Sequence, residues 1–335
     1  MDVDVYTLTH RADWVRLDQL SKRRRLSGIE IDELITLYRR SSQQLARIRT
    51  HDADPDTIAG LSTILTRARG RVMRAQRSGW ADVGHFFSRR LPAELYWARR
   101  WWLSVMAVCL LVAVVLAVLI AHSAGARDYF GVTDSDAYTR EGGLFESYYY
   151  DHTHSSFAAK VWTNNALVAA IALFTGILIV PAVYSLWQNT EAVGIVAGSM
   201  ARADRLESLF SHLLPHGMLE LTCIFVAGGV GLKLGWTLID PGRETRAAAL
   251  ARQGRATGMV AVGLAIALFI SGMIEGFVTP SGFPTAVRIG IGAVAWALFM
   301  AYALILGRLA AQELDAENAV GPAIGVGAYS VRTGP

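Results

Sequence analysis

Apolar residues recur at helical spacing over the first eighty positions, whereas from position 101 they fuse into long uninterrupted runs. Trp14, Leu17 and Leu20, following Asp13, step by three and predict an amphipathic helix. Ser27-Gly28 is a break. Leu34, Leu37, Tyr38, Leu45 and Ile48 then keep a helical period, with Asp32-Glu33 near the start, where negative charge is favoured. Asp52-Ala-Asp54-Pro55-Asp56 reads as a turn in which Pro55 takes a first helical position. Ile58, Leu61, Leu65, Ala68 and Val72 define a third helix. Three helices of this size can bury one small core.

The runs beyond Trp101 are of another kind. Trp101 to about His122 carries no ionised residue, and further runs lie at about Asn165 to Gln188, 215–239, 256–279 and 285–307. Each is about 20 residues or longer, enough to cross a bilayer at about 1.5 Å per residue. Pro181 predicts a kink in the second of them. Segment 190–214 is mixed: Gly194-Ile-Val-Ala-Gly198 is apolar, but Arg202, Asp204, Arg205 and Glu207 are not. The pattern predicts an all-α polytopic transmembrane bundle of five full spans plus one broken or re-entrant element, joined to an N-terminal cytoplasmic helical domain. The domain boundaries read as 1–84 for the helical head, 85–100 for an interfacial amphipathic helix, 101–310 for the membrane bundle and 311–335 for a flexible tail.

Composition adds an orientation. The chain is 53% hydrophobic and 18% charged, against about 25% charged in ordinary soluble domains. Residues 1–100 hold 19 Lys+Arg against 12 Asp+Glu, while the segment after the first run is acidic, with Asp128, Asp134, Asp136, Glu141, Glu146 and Asp151. Basic before and acidic after places the head in the cytoplasm and the loop outside. Arg243, Arg246, Arg252 and Arg255 share one later loop, which the same rule puts inside. That demands an even number of crossings before it, so 190–214 should cross too and both termini face the cytoplasm. Five spans with an external C-terminus is the alternative.

The arginines at 67, 69, 71, 74 and 77 accompany no nucleic-acid-binding motif. Anionic lipid headgroups, not nucleic acid, are their expected partner. Arg89, Arg90, Arg99 and Arg100, interleaved with aromatics and followed by Trp101-Trp102, suit anchoring at the membrane surface. Tyr148-Tyr149-Tyr150 are expected at the outer interface. Cys109 and Cys223 sit in apolar runs and read as small hydrophobes. No cleavable signal peptide, CxxC or phosphate-binding loop is found, so neither thiol redox chemistry nor nucleotide use is expected.

Ionisable residues inside spans are costly and are therefore the functional candidates. His216 and Glu220, four apart, share one helix face, and Glu275 lies near the end of another span. Asn164-Asn165 open the second span. In the six-element topology His216, Glu220, Glu275, Asn164 and Asn165 all fall at the outer side and can converge. Two neighbouring carboxylates need a compensating His216⁺, a metal ion or a shared proton. HxxxE with a distant Glu is a weak metal signature, so no metal or cofactor is expected. Helix packing is the plainer role for the cluster, with ion handling and catalysis behind it. Asp151-His152-Thr-His154 reads as solvated loop, and Lys233 as a snorkelling side chain. Gly194/Gly198, Gly231/Gly235 and Gly272/Gly276 permit close helix packing, within one chain or in a homo-oligomer.

Pro215-His216-Gly217-Met-Leu-Glu220-Leu221 resembles the PHGxxEL motif of the stage II sporulation protein M family of bacterial and archaeal integral membrane proteins. Asn164-Asn165, Ile274-Glu275-Gly276-Phe277-Val-Thr-Pro280 and the Trp14-x-x-Leu17-x-x-Leu20 pattern match further blocks of that family. The resemblance implies a non-enzymatic scaffold in the plasma membrane that works with other membrane or cell-envelope proteins. In spore formers such proteins accompany peptidoglycan-degrading partners during septum remodelling. The Arg-rich head is larger than the short N-terminus of the sporulation proteins. An ion- or proton-coupled transporter or channel built on the His/Glu/Asn cluster is the alternative.

Overall fold

The computed structural model describes residues 3–23, 26, 28–50, 55–75, 79–132, 135–150 and 154–319, which form helices and turns and no strand. They fall into two compact units, residues 1–84 and 85–335.

In the first unit α1 (Val3–Lys22), α2 (Gly28–Arg49) and α3 (Pro55–Ala75) enclose Trp14, Leu17, Leu20, Leu34, Leu37, Leu45, Ile48, Leu61, Leu65, Ala68 and Val72. These are the residues the helical spacing selects, because a three-helix core needs one apolar stripe from each helix. Trp14 Nε1 donates to Gln44 Oε1 at 2.7 Å, which satisfies both groups inside the core. Around the rim Arg16 pairs with Glu33 at 2.7 Å, and its guanidinium holds that carboxyl below the usual carboxylate range. Arg67 reaches Asp18 at 2.6 Å and Arg71 donates to the Ser21 carbonyl at 3.2 Å. These two arginines therefore brace α3 on α1, a use that the lipid reading of the run does not include. The side chains of Arg74 and Arg77 lie outside the described residues.

The second unit contains α4 (Leu91–Trp97), α5 (Arg99–His122), α6 (Leu144–Tyr150), α7 (His154–Phe174), α8 (Val180–Arg202), α9 (Leu206–Ile239), α10 (Arg246–Met273), α11 (Thr285–Ala301) and α12 (Gly307–Ala319). Among the described residues five stretches are long and apolar enough to cross a membrane: Arg99–His122, His154–Leu178, Leu206–Ile239, Arg246–Val278 and Thr285–Glu317. Along α5, Val108, Leu111 and Val114 are more than half exposed, an apolar face that suits lipid.

Two predicted boundaries change. The second span starts at His154, not near Asn165, and its break precedes Pro181. Thr175–Leu178 tightens into a 3₁₀ turn, Ile179 takes φ 60°, and Pro181 enters the first turn of α8. A β-branched residue at positive φ is strained. Pro181 costs little in a first turn, where its missing N–H has no helical partner. The kink is thus a full break. Segment 190–214 is likewise not one irregular element: it is the end of α8 and the start of α9, separated at 203–205. Pro215 lies inside the 34-residue α9 instead of opening it.

Neighbouring pairs fix the helix directions. Trp102 lies beside Gly229, while Cys109 clusters with Ile224, so α9 runs antiparallel to α5. Gly194 meets Leu116 and Gly198 meets Ile120, so α8 runs parallel to α5. Leu173 lies against Gly231 and Gly176 against Gly235, which makes α7 parallel to α9. Gly276 meets His154 and Ala158 while Trp162 donates to the Ala265 carbonyl, so α10 runs antiparallel to α7 and hence to α9. Gly292 lies on Pro215 and Trp296 donates to Thr222, so α11 is parallel to α9. Six successive helices therefore alternate in direction. One end carries Trp101, the break before α8 and the loop after α9. The other end carries His216, Glu275 and residues 123–132 and 135–150.

All three glycine pairs serve packing inside the chain. Gly194 and Gly198 receive α5, Gly231 and Gly235 receive α7 and the turn after it, and Gly272 and Gly276 receive Ala158 and Trp162 of α7. They thus give no support to a homo-oligomer. Trp102 is a correction: it is fully buried, with Nε1 donating to the Leu95 carbonyl at 2.9 Å, so it is core and not a surface anchor. The Trp101 ring lies 6.0 Å from that of Trp236, tilted by 51°.

Residues 85–100 form a π turn at Phe86–Arg90, α4 and the first residues of α5, not one uniform helix. The expected flexible tail also begins too early, since α12 continues to Ala319. Its Ala310 and Ala311 bury against Ala93, and Arg89 reaches Glu313 at 3.6 Å and Glu317 at 3.3 Å. Arg99 lies 3.8 Å over the Tyr96 ring, while Arg90 and Arg100 are exposed.

Candidate functional site: a buried histidine and two glutamates

Helices α7, α9 and α10 meet at the end away from Trp101. His216 and Glu220 project from one face of α9 because they are four residues apart. Glu275 comes from Ile274–Val278, where α10 widens into a π turn. Such insertions redirect side chains and recur at functional sites. His216 and Glu275 are each 3% exposed, and His216 Nε2 lies 3.8 Å from Glu275 Oε2. One ligand atom from each of His216, Glu220 and Glu275 lies within 4.8 Å of the other two. This is the one such group among the described residues able to hold a metal ion.

The surroundings hold the imidazole in place. Its Nδ1 lies 3.4 Å from Thr279 Oγ1, and that hydroxyl lies 3.4 Å from the Ile274 carbonyl. The His216 carbonyl accepts from Ser271 Oγ at 3.0 Å, which ties α9 to α10. Arg288 is buried and donates through Nη1 to the Thr279 carbonyl at 2.6 Å. Among the described residues no Lys or Arg pairs with either carboxylate, and Glu220 Oε2 is enclosed without a hydrogen-bond partner. Asn165 lies close to the Glu220 carboxyl. Asn164 is exposed, and its side chain reaches only Asn165, at 3.4 Å. The structure brings His216, Glu220 and Glu275 together with Asn165 beside them, and leaves Asn164 out.

An aromatic layer covers the cluster. Tyr149 is buried, stacks on His212 at 5.2 Å and lies 6.0 Å from the His216 ring. Tyr148 packs on Phe157 at 5.1 Å. Burial, followed by the nearby Glu275 and Glu220, pushes the Tyr148 phenol up to about 12. Tyr149 is thus a cover for the site, not the interface residue its position in a tyrosine run predicts. The side chain of Tyr150 lies outside the described residues.

Glu146 fastens the layer to α9. It pairs with Arg205 and accepts from Ser208 Oγ at 2.6 Å and from the Gly142 N–H at 2.8 Å. Burial opposes ionisation of Glu146, but Ser208, Gly142 and Arg205 outweigh it and hold the carboxyl below its ordinary range. His154 Nδ1 donates to the Gly276 carbonyl at 2.8 Å, so this histidine is a tie to the π turn. Asp151 and His152 lie outside the described residues.

The cluster and the three glycine pairs lie within residues 106–280, which match a family model described as Stage II sporulation protein M. The match covers more than half of the chain. The chain belongs to the stage II sporulation protein M family. A second family model, a domain of unknown function (DUF8413), matches residues 4–74. No curated protein and no solved structure matches the chain. As a stage II sporulation protein M family member it is a membrane protein, and the family match includes His216, Glu220, Glu275 and Thr279 but ends before Arg288.

Arg288, Thr279, Ser271 and Tyr149 are the neighbours that reading the sequence missed. Arg288 follows Pro284-Thr285 by one turn at the start of an apolar run, so the rule that flagged the glutamates would also have flagged it. Thr279 and Ser271 carry no such signal, since hydroxyl residues are ordinary in membrane helices.

Proposed function

We propose that this protein is a non-enzymatic, multi-pass scaffold of the plasma membrane that organises a cell-envelope or membrane-remodelling complex. The carrying observation is the division of labour between its two units. Residues 1–84 close a core of their own, as a domain that presents a surface must. The membrane unit packs its glycine pairs inward and covers its charged cluster with Tyr149. A cavity of about 610 Å³ is walled mainly by apolar residues such as Val105, Val108, Val183 and Leu186 of α5 and α8. That lining suits lipid tails better than a hydrated solute.

In this reading the Trp101 end faces the cytoplasm. Arg90, Arg100, Arg243, Arg246, Arg252 and Arg255 would meet anionic headgroups there, in keeping with the positive-inside bias. The His216 end and residues 123–153 face outward, and the six alternating helices support six crossings. The partners are other membrane or cell-envelope proteins that dock on the head or on the outer segment.

Photo-crosslinkers at exposed head positions such as Arg47, and at Glu141, test this in native membranes. Discrete adducts with membrane or envelope proteins are expected, and purified protein in vesicles should show no ion or proton flux above protein-free vesicles. A flux abolished by Glu220→Gln and Glu275→Gln would overturn the scaffold reading.

A further inference from the structure

The geometry points to a divalent transition-metal site of the zinc type, formed by His216 Nε2, Glu220 and Glu275 beneath Tyr149. The hydrogen-bond order is the first support. When the Thr279 hydroxyl donates to the Ile274 carbonyl, its oxygen is left to accept from His216 Nδ1–H. Nε2 then carries the lone pair and faces Glu275 Oε2 at 3.8 Å. A lone pair aimed at a carboxylate is repulsive unless a proton or a metal cation stands between them, and of the two a divalent ion also compensates the second carboxylate. A ligating histidine that donates its other N–H to an oxygen is the usual support of a metal-bound imidazole.

Charge gives the second support. Two carboxylates lie in a water-poor helix junction, and Arg288, the buried cation nearby in the chain, spends its Nη1 on the Thr279 carbonyl. One divalent ion neutralises both carboxylates and leaves His216 neutral. Glu220 Oε2, enclosed and without a hydrogen-bond partner among the described residues, is a donor atom with no bond to give up.

Donor type and number select the ion. One imidazole nitrogen and two carboxylate oxygens make three protein ligands, as in four-coordinate zinc sites that keep one further position. Calcium takes about six to eight oxygens and magnesium about six ligands, more than this junction offers. Ligand bonds of about 2.0–2.2 Å require the donors to approach by roughly 1 Å from their present spread. Small rotations of the glutamate side chains achieve this. The ion would link α9 to α10 at the π turn.

The test uses the full chain purified in detergent, stripped with a chelator and reloaded with Zn²⁺. About one ion per chain is expected by elemental analysis, with a rise in melting temperature. Glu220→Gln, Glu275→Gln and His216→Asn should lose the ion, while His212→Asn, on the same helix but outside the three donors, should retain it. Circular dichroism and a monodisperse elution profile confirm that the variants remain folded. Co²⁺ added to the stripped wild-type chain should give visible bands of a low-coordinate N/O site, a readout that needs no variant. Wild-type protein that takes up no stoichiometric Zn²⁺ and shows no Co²⁺ bands would overturn the proposal, as would folded variants that bind like wild type.

Discussion

Replacing Gly231 with leucine is expected to destabilise the membrane unit severely. A side-chain carbon at position 231 falls on the Ala172 carbonyl and within 2.8 Å of the Leu173 carbonyl, both main-chain atoms of α7. From the other side, a carbon on Gly176 falls on the Gly231 backbone itself. Neither helix can yield by rotating a side chain, so the backbones must separate. Membrane helices associate through close packing and not through expulsion of water, so separation removes most of what holds them together. Overpacking a core costs about 1–3 kcal/mol and occasionally more. With backbone on both sides the cost should reach or pass about 3 kcal/mol, a large part of a typical 5–15 kcal/mol. Loss of the monodisperse peak in detergent is the measurement. Gly258→Ala, whose added carbon meets nothing within 4 Å, is the control and should behave as wild type.

Trp102→Ala should destabilise the same unit by about 3–5 kcal/mol, in the range found when large buried aromatic side chains are truncated. Trp102 is fully buried in the main core with Leu95, Val226, Val230 and Leu264. Its Nε1 donates to the Leu95 carbonyl across the break between α4 and α5, and truncation leaves that acceptor without its donor. The main chain of Trp102 also approaches Gly229, so the indole sits where α5 and α9 are nearest. A thermal or denaturant midpoint in detergent reads the effect. Trp101→Ala, at a partly exposed ring in the same dipeptide, should shift it far less.

The fold was legible wherever one residue pattern dictates one geometry. In the head, Leu17, Leu34 and Ala68 are buried because each lies on the apolar stripe of its own helix. His216, Glu220 and Glu275 stood out because ionised groups inside apolar runs are rare, and the structure brings all three together. The break before α8 was misplaced, because Pro181 signals equally a kink or a first turn. What decides is Gly176 on Gly231, a contact between segments distant in sequence. Trp102 was misread for a similar reason: two adjacent tryptophans at a span end look alike in sequence, yet lie about 100° apart around a helix. The tyrosine cover over His216 was not legible at all. It depends on Glu146 meeting Arg205 and Ser208 across 59 and 62 residues.

The central claim is that α8 crosses the membrane, so that six alternating helices put the Arg243 loop and α12 on one face and residues 123–153 on the other. Single cysteines at Arg243→Cys, Gln312→Cys and Glu141→Cys, in a background with Cys109 and Cys223 replaced by alanine, test it with a membrane-impermeant maleimide on intact cells. The account predicts that Glu141→Cys is labelled at once, while Arg243→Cys and Gln312→Cys react only after permeabilisation. Labelling of Arg243→Cys together with Glu141→Cys on intact cells would contradict it.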